Sequence, residues 1–371
     1  MSLSPAVTDT IYMQRAIRLA RKGRYSTSPN PRVGCVIVKN QKVVGEGYHI
    51  AAGGPHAEVH ALKAAGANAQ GATAYVTLEP CSHFGRTPPC AQALIKAKVA
   101  RVVIAMQDPN PQVAGRGNKM LEEAGIEVVS GVLEAQAKAL NPGFIKRMLT
   151  GLPYVRVKLG ATQDGKTALA NGQSKWITGA AARADVQDWR AQSCAVLTGR
   201  GTVSADDPSL LVRPEQWAQM GRDKELLKDL KQPLRVVLDR QAQLTPDFQM
   251  MQDGSPTLLI SQKNYSEQNW PQSVSRTKLV ADGQLKPILE HLAAKGINEV
   301  LVEAGATLAG AFVEQGLADE LILYQADKLI GADGRNLLNH DALTRMEQVP
   351  VLSCVDRRQI GEDTRSIYRM S

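Results

Sequence analysis

Apolar positions recur every three to four residues in some stretches and every second residue in others, and these two periods divide the chain into elements. Ile11, Ala16, Ile17, Leu19 and Ala20 share one stripe of a helix predicted over residues 9–24. Short β-rich runs at 33–38 and 43–47, around a polar turn at 39–42, predict a hairpin. Helices are expected at 56–65, 90–100, 117–125 and 134–149, and strands at 72–78, 101–106 and 126–130. Strands alternating with helices predict an α/β domain whose helices cover a sheet.

Thr150-Gly-Leu-Pro153 breaks this pattern and is the expected boundary, giving domains at 1–149 and 150–371. A second alternating pattern follows. Strands are predicted at 155–159, 195–198, 235–239, 257–260, 300–303 and 320–325, and helices at 180–190, 286–295 and 307–315. The polar stretch 217–231 reads as a surface excursion.

Composition narrows the class. The chain has 371 residues, 43% hydrophobic and 22% charged, which is ordinary for a globular protein. No run approaches ~18 consecutive apolar residues, so no membrane span or membrane partner is expected. Residues 1–10 lack a basic segment followed by an apolar one, which argues against a secretion signal and for the cytoplasm. The five cysteines, Cys35, Cys81, Cys90, Cys194 and Cys354, read as reduced thiols, metal ligands or core residues. Residues 1–147 hold 18 Lys and Arg against 9 Asp and Glu, whereas 148–371 hold 26 against 27. A basic first segment fits a phosphorylated or polyanionic partner, and solubility is the plainer reading.

His56-Ala-Glu58 is followed by Pro80-Cys81 and then Cys90. A catalytic zinc takes three protein ligands and leaves one position open, a need that one imidazole and two thiolates meet. Such a metal lowers the pKa of bound water toward ~7. Glu58, two residues from His56 on the first turn of a helix, is placed to carry protons without ligating. Cys81 and Cys90 each precede an expected helix start, where backbone amides favour thiolates. The other readings are a polar turn residue for His56 and packing thiols for the cysteines. Packing is the better reading for Cys35, Cys194 and Cys354.

Together these residues resemble the zinc-dependent cytidine-deaminase-like superfamily. The superfamily usually ends in Pro-Cys-x-x-Cys, whereas here residues 82–89 separate the two thiols. That longer loop, with Ser28-Pro-Asn-Pro-Arg-Val-Gly34 and Gly54-Pro-His-Ala-Glu58, is similar to the deaminases of riboflavin biosynthesis. The resemblance implies an α/β/α domain in which His56, Cys81 and Cys90 hold zinc and Glu58 is general acid/base. It further implies that Asn30 and His83, with Arg86 and Thr87 beside it, meet a pyrimidinone.

In the second half, Gly305-Ala-Thr-Leu-Ala-Gly310 links a strand ending at Glu303 to an apolar helix, a turn that suits a phosphate. It matches neither the Rossmann fingerprint nor a Walker A. Val157-Lys-Leu-Gly-Ala161, Asp164-Gly-Lys166, Trp176-Ile-Thr178, Asp206-Asp-Pro208 and Val302-Glu-Ala-Gly-Ala-Thr-Leu308 resemble the reductase domain of the same pathway. That likeness implies a dihydrofolate-reductase-like α/β fold using NADPH, so both halves match the bifunctional deaminase–reductase family. It assigns Ala161, Trp176, Thr202, Asp206, Gly305, Ala306, Thr307 and Leu308 to the cofactor. It assigns Ser174, Arg183, Leu210, Arg213 and Glu303 to a phosphorylated pyrimidine, with Arg183 and Arg213 on its phosphate. Lys158 and Asp164 are proton-relay or positioning candidates, and a homodimer through the second domain is implied.

Two other readings are weighed. A nucleic-acid deaminase would use the basic segment, but its charges are scattered and aromatics are only 4% of the chain, so no nucleic acid is expected. A structural zinc site in a binding module would need a fourth protein ligand, such as Cys35 or His83.

Overall fold

Pro5, with no N–H to leave unsatisfied, opens helix α1 (Pro5–Ala20). The helix buries Asp9, Met13, Ala16, Ile17 and Ala20. The expected stripe is therefore rotated, with Met13 at its centre and Ile11 exposed. The computed structural model describes residues 4–82, 88–111, 113–219, 221, 224–227, 230–339, 341 and 343–370. It divides into two units, residues 1–151 and 152–371.

In the first unit, β1 (Gly34–Lys39) and β2 (Lys42–Tyr48) form the hairpin. Then come α2 (Ala57–Ala65), β3 (Thr73–Val76), α3 (Cys90–Lys96), β4 (Arg101–Ile104), α4 (Arg116–Glu123), β5 (Glu127–Ser130), α5 (Glu134–Lys138) and α6 (Pro142–Thr150). The single helix expected over 134–149 is two, because Pro142 lacks the N–H that would continue α5 and instead starts α6.

The sheet runs β2-β1-β3-β4-β5. β1 is antiparallel to both neighbours, and β3, β4 and β5 are parallel. Cys35 and Ile37 pack with Ala57, Ala61, Leu94 and Leu121 on one face. Val36 and Val38 pack with Met13, Ile17 and Leu140 on the other. Each fully buried large side chain contributes roughly 1.5–3 kcal/mol to this three-layer stack. A Cβ at Gly47 would lie 2.5 Å from the Ala57 carbonyl oxygen. That close approach presses the start of α2, and with it His56, onto β2.

The second unit contains β6 (Tyr154–Thr162), β7 (Lys166–Ala168), α7 (Ala180–Gln192), β8 (Ala195–Gly199), α8 (Arg200–Asp206), α9 (Pro214–Gln219) and β9 (Leu234–Leu238). It continues with α10 (Gln249–Gln252), β10 (Thr257–Ser261), β11 (Val274–Lys278), α11 (Lys286–Ala294), β12 (Glu299–Glu303), α12 (Ala306–Glu314) and β13 (Glu320–Ala326). Last come β14 (Arg335–Asn336), β15 (Leu352–Ile360) and β16 (Asp363–Met370).

Its nine-stranded sheet has the order β11-β10-β9-β8-β12-β6-β13-β16-β15. It is parallel from β11 to β13, and β16 and β15 add antiparallel. Residues of α11 and α12, among them Leu289, Leu292 and Phe312, cover one face. Ala182 and Val186 of α7, with Val203, Met250 and Met251, cover the other. The expected α/β class holds in both units.

The sequence patterns miss β11, the β7–β14 ribbon and the β15–β16 hairpin. β15 is exposed along most of its length, so Asp356-Arg-Arg-Gln359 shows no buried alternation. Trp217, expected on a surface excursion, is fully buried. Among the described residues no helix is long and apolar enough to cross a membrane.

Candidate functional site

His56 caps the N-terminus of α2 after the Gly53-Gly54-Pro55 turn. Cys81 follows the end of β3, and Cys90 is the first residue of α3. The fold brings these positions together. His56 Nδ1 lies 3.7 Å from Cys81 Sγ and 3.3 Å from Cys90 Sγ. Their ligand atoms all lie within 4.8 Å of one another, so one cation can touch all three. Among the described residues no fourth His, Cys, Asp or Glu joins the group. His83, Arg86 and Thr87 lie outside the described residues.

One nitrogen and two sulfurs, with no fourth ligand among the described residues, fit the donor set of a catalytic zinc. The Cys90 N–H donates to Cys81 Sγ at 3.2 Å. The side-chain hydrogen bond between the two cysteines lowers the Cys81 pKa and raises that of Cys90.

Glu58 is 3% exposed, and its Oε2 has no hydrogen-bond partner. Burial pushes its carboxyl up to about 7. A carboxyl held near neutrality with an unpartnered oxygen is able to take up or give up a proton at neutral pH. Asn30 belongs to the same site through His49. The Asn30 amide donates to His49 Nε2 at 3.1 Å, and His49 Nδ1 donates to the Pro55 carbonyl at 3.1 Å. The His49 ring meets the His56 ring edge-on at 5.4 Å. Burial lowers the His49 pKa. His49 thus ties Asn30 to the segment that presents His56.

In the second unit Ala161, Glu303 and Gly305 stand at or just beyond the carboxyl ends of parallel strands, the usual ligand edge of such sheets. Ala161, next to last in β6, has its side chain in the core, leaving only its backbone to face a ligand. Gly305 caps α12, and a Cβ there would meet nothing within 4 Å. A Cβ at Gly199 would lie 3.4 Å from Leu308, so the β8–α8 turn, with Thr202 and Asp206 on α8, adjoins Gly305–Leu308. Open glycine-lined turns with free helix N–H groups fit a dinucleotide phosphate. Thr307 Oγ1 accepts from Asn339 Nδ2 at 3.3 Å.

The substrate assignments fall into two groups. Arg183 stacks 4.2 Å over the Trp176 ring and donates to the Thr178 carbonyl at 2.6 Å, with Ser174 in the same loop. Arg183 is thus committed to this loop. In the other group, Glu303 is gripped by Arg190 at 2.6 and 2.9 Å. Arg190 also donates to the Leu211 carbonyl at 3.1 Å, between Leu210 and Arg213. Burial pushes Glu303 up, but the adjacent Arg190 charge overcomes it, and the net shift is downward. Lys158, whose pKa burial lowers, lies in the same charged set. Asp164 instead accepts from Thr162, Ile330 and Gly331.

Arg190 is not among the residues expected from the sequence. It lies seven residues after Arg183, two turns along the same face of α7, and that spacing was the available signal.

Residues 7–106 match the family described as the cytidine and deoxycytidylate deaminase zinc-binding region. Residues 153–365 match the RibD C-terminal domain. The chain is 51% identical over 362 residues to riboflavin biosynthesis protein RibD of Escherichia coli (strain K12), covering 96% of this chain and 97% of that one. Its structure is similar to Acinetobacter baumannii RibD, with TM-score 0.90, 46% identity and coverage of 99% and 100%. It is also similar to the Thermotoga maritima diaminohydroxyphosphoribosylaminopyrimidine deaminase/5-amino-6-(5-phosphoribosylamino)uracil reductase, with TM-score 0.87, 34% identity and coverage of 99% and 100%.

Proposed function

The chain belongs to the bifunctional deaminase–reductase family of riboflavin biosynthesis, and from that premise we propose how its residues divide the two reactions. It is an enzyme that deaminates 2,5-diamino-6-(5-phosphoribosylamino)pyrimidin-4(3H)-one. It then reduces the ribosyl group of 5-amino-6-(5-phosphoribosylamino)uracil to a ribityl chain. Its cofactors are zinc and NADPH.

The first unit carries deamination. His56, Cys81 and Cys90 hold the zinc, which supplies a Lewis acid that makes water nucleophilic at neutral pH. Glu58 takes the proton that water loses and hands it to the departing ammonia at the amino-bearing ring carbon. Asn30, fixed by His49, orients the pyrimidinone. His83 joins the substrate contacts through the loop between the two thiols.

The second unit carries reduction. NADPH supplies the hydride. Gly305, Ala306, Thr307 and Leu308 bind its phosphates at the start of α12, and Ala161, Trp176, Thr202 and Asp206 complete the cofactor cradle. Ser174, Leu210 and Glu303 face the substrate, and Arg213 meets its phosphate. Arg183 acts by holding Trp176 and Thr178 in place.

A homodimer through the second unit, and a cytoplasmic location, complete the reading. β15 is the terminal strand of its sheet, and Met346, Val349, Leu352 and Val355 stand exposed in and beside it. Free thiols at all five cysteines suit a reducing compartment. Sedimentation of the purified chain tests the dimer.

The observation that carries the deaminase assignment is the unpartnered, buried Glu58 oxygen beside three converging ligand atoms. Following ammonia release and NADPH oxidation separately in Glu58→Gln tests it. Loss of the first with retention of the second is expected, and full ammonia release would overturn the assignment.

A further inference from the structure

We propose that Glu79 is a positioning residue for the metal centre, holding the Cys81 sulfur in place by locking the Glu79-Pro80-Cys81 turn onto α4 and the loop before it. This rests on the reading of Cys81 as a metal ligand.

Glu79 is 3% exposed, and both its oxygens accept backbone N–H groups. Oε1 accepts from Gly117 at 2.9 Å and Asn118 at 3.3 Å. Oε2 accepts from Gly115 at 3.0 Å and Asp108 at 3.1 Å. Gly117 and Asn118 are the second and third residues of α4, whose own cap position is Gly115, a residue with no side chain to offer. A carboxylate from another strand end thus supplies the cap and meets the positive end of the helix.

The backbone of Glu79 is fixed as well, its N–H donating to the Met106 carbonyl at 3.0 Å. Pro80 then leaves few soft dihedrals between the clamped carboxylate and Cys81. A Cβ at Gly117 would fall 2.1 Å from the Pro80 carbonyl oxygen, so α4 bears directly on the residue before the sulfur. On the far side, the Ala91 N–H donates to the Cys81 carbonyl at 3.2 Å. Cys81 is therefore held between α3 and α4, and the hold on the α4 side runs through one carboxylate. A metal-ligand constellation must stay within about 0.5 Å of its working geometry, a tolerance that such a clamp serves.

Zinc affinity of the full chain, measured by competition with a chromophoric chelator, tests the proposal. Glu79→Gln replaces one acceptor by an NH2 group that faces two N–H donors. Zinc affinity is expected to fall roughly 10–100-fold, as for other residues that support metal ligands. The sulfur-to-metal absorption of the cobalt-substituted chain should shift, and NADPH-dependent reduction by the same chain should stay unchanged. Gly117→Ala, whose Cβ would crowd both the Pro80 carbonyl oxygen and, at 3.1 Å, Glu79 Oε1, should weaken zinc in the same direction, and it carries the test if Glu79→Gln does not fold. A purely structural cap would lose amide-exchange protection in α4 while zinc affinity and the cobalt spectrum stayed as in the parent, and that result overturns the proposal. Cys81→Ser run in parallel separates the two claims. Unchanged zinc affinity there would overturn the ligand reading itself, whereas loss there with none in Glu79→Gln overturns only the part given to Glu79.

Discussion

The first unit concentrates its chemistry in side chains. An imidazole and two sulfurs lie within 4.8 Å of one another, and a buried carboxylate interacts with all three, each delivered by the end of a strand or the start of a helix. The second unit spreads its site along the carboxyl edge of a sheet. There it offers backbone turns, and its charged side chains are largely spoken for by one another, Glu303 by Arg190 and Asp164 by backbone N–H groups. Removing a single atom from the first site should therefore end its reaction. The second should yield in stability and binding before it yields in chemistry.

The largest expected contrast comes from stripping zinc with a chelator. Ammonia release should vanish, while reduction of the deaminated intermediate continues at its original rate, read as NADPH oxidation. If reduction also stopped in a still-folded chain, the division between two sites would be lost. Next is Glu58→Gln, which should slow deamination by about 10²–10⁴-fold, the usual weight of a general acid/base. Bound zinc, measured by elemental analysis, should be retained. Arg190→Met turns the contrast to stability. Leaving Glu303 buried without its partner should cost about 3–5 kcal/mol in the second unit, visible in denaturant unfolding. Zinc content of the first unit should not change.

The same pair gives a smaller, pH-dependent effect. Glu303 is held below its ordinary 4.5 in the folded chain. Its pairing therefore stabilises fully above that value, and the contribution is lost as pH falls through the depressed one. Glu303→Gln should flatten the acid side of the melting-temperature profile of the second unit, and an unchanged profile would remove the pair from the account. Smallest of all should be the salt response of deamination, a shallow slope set by one substrate phosphate. Steep, tight salt-dependent binding of RNA would reopen the nucleic-acid reading.

The two sites also differ in how far they could be read from the chain. His56, Glu58, Cys81 and Cys90 announce themselves because the chemistry needs those residue types and few spacings deliver them. The helical and parallel-strand pattern was plainer, since buried strands such as β12 carry a continuous apolar run, Val300 to Val302. What escaped notice is set by partners distant in sequence. His49 matters because Asn30 and Pro55 converge on it. Arg190 matters because Glu303 arrives from 113 residues away. β15 carries no buried alternation to betray its hairpin with β16, and the buried Trp217 sits in a polar stretch of sequence. Beyond the Arg183–Arg190 spacing, these polar clamps show no sequence period, because their partners are far apart in the chain.

Asn141 stands just before α6, where its side-chain amide closes on both the N–H and the carbonyl of Arg32, at 2.7 and 3.0 Å. The tail of the first unit thereby grips the stretch that presents Asn30 at its head. A fragment cut after β5 would keep every zinc ligand and every strand of its sheet, yet would release that grip. An excised piece that keeps this grip must therefore run past β5 and α5 at least to Asn141.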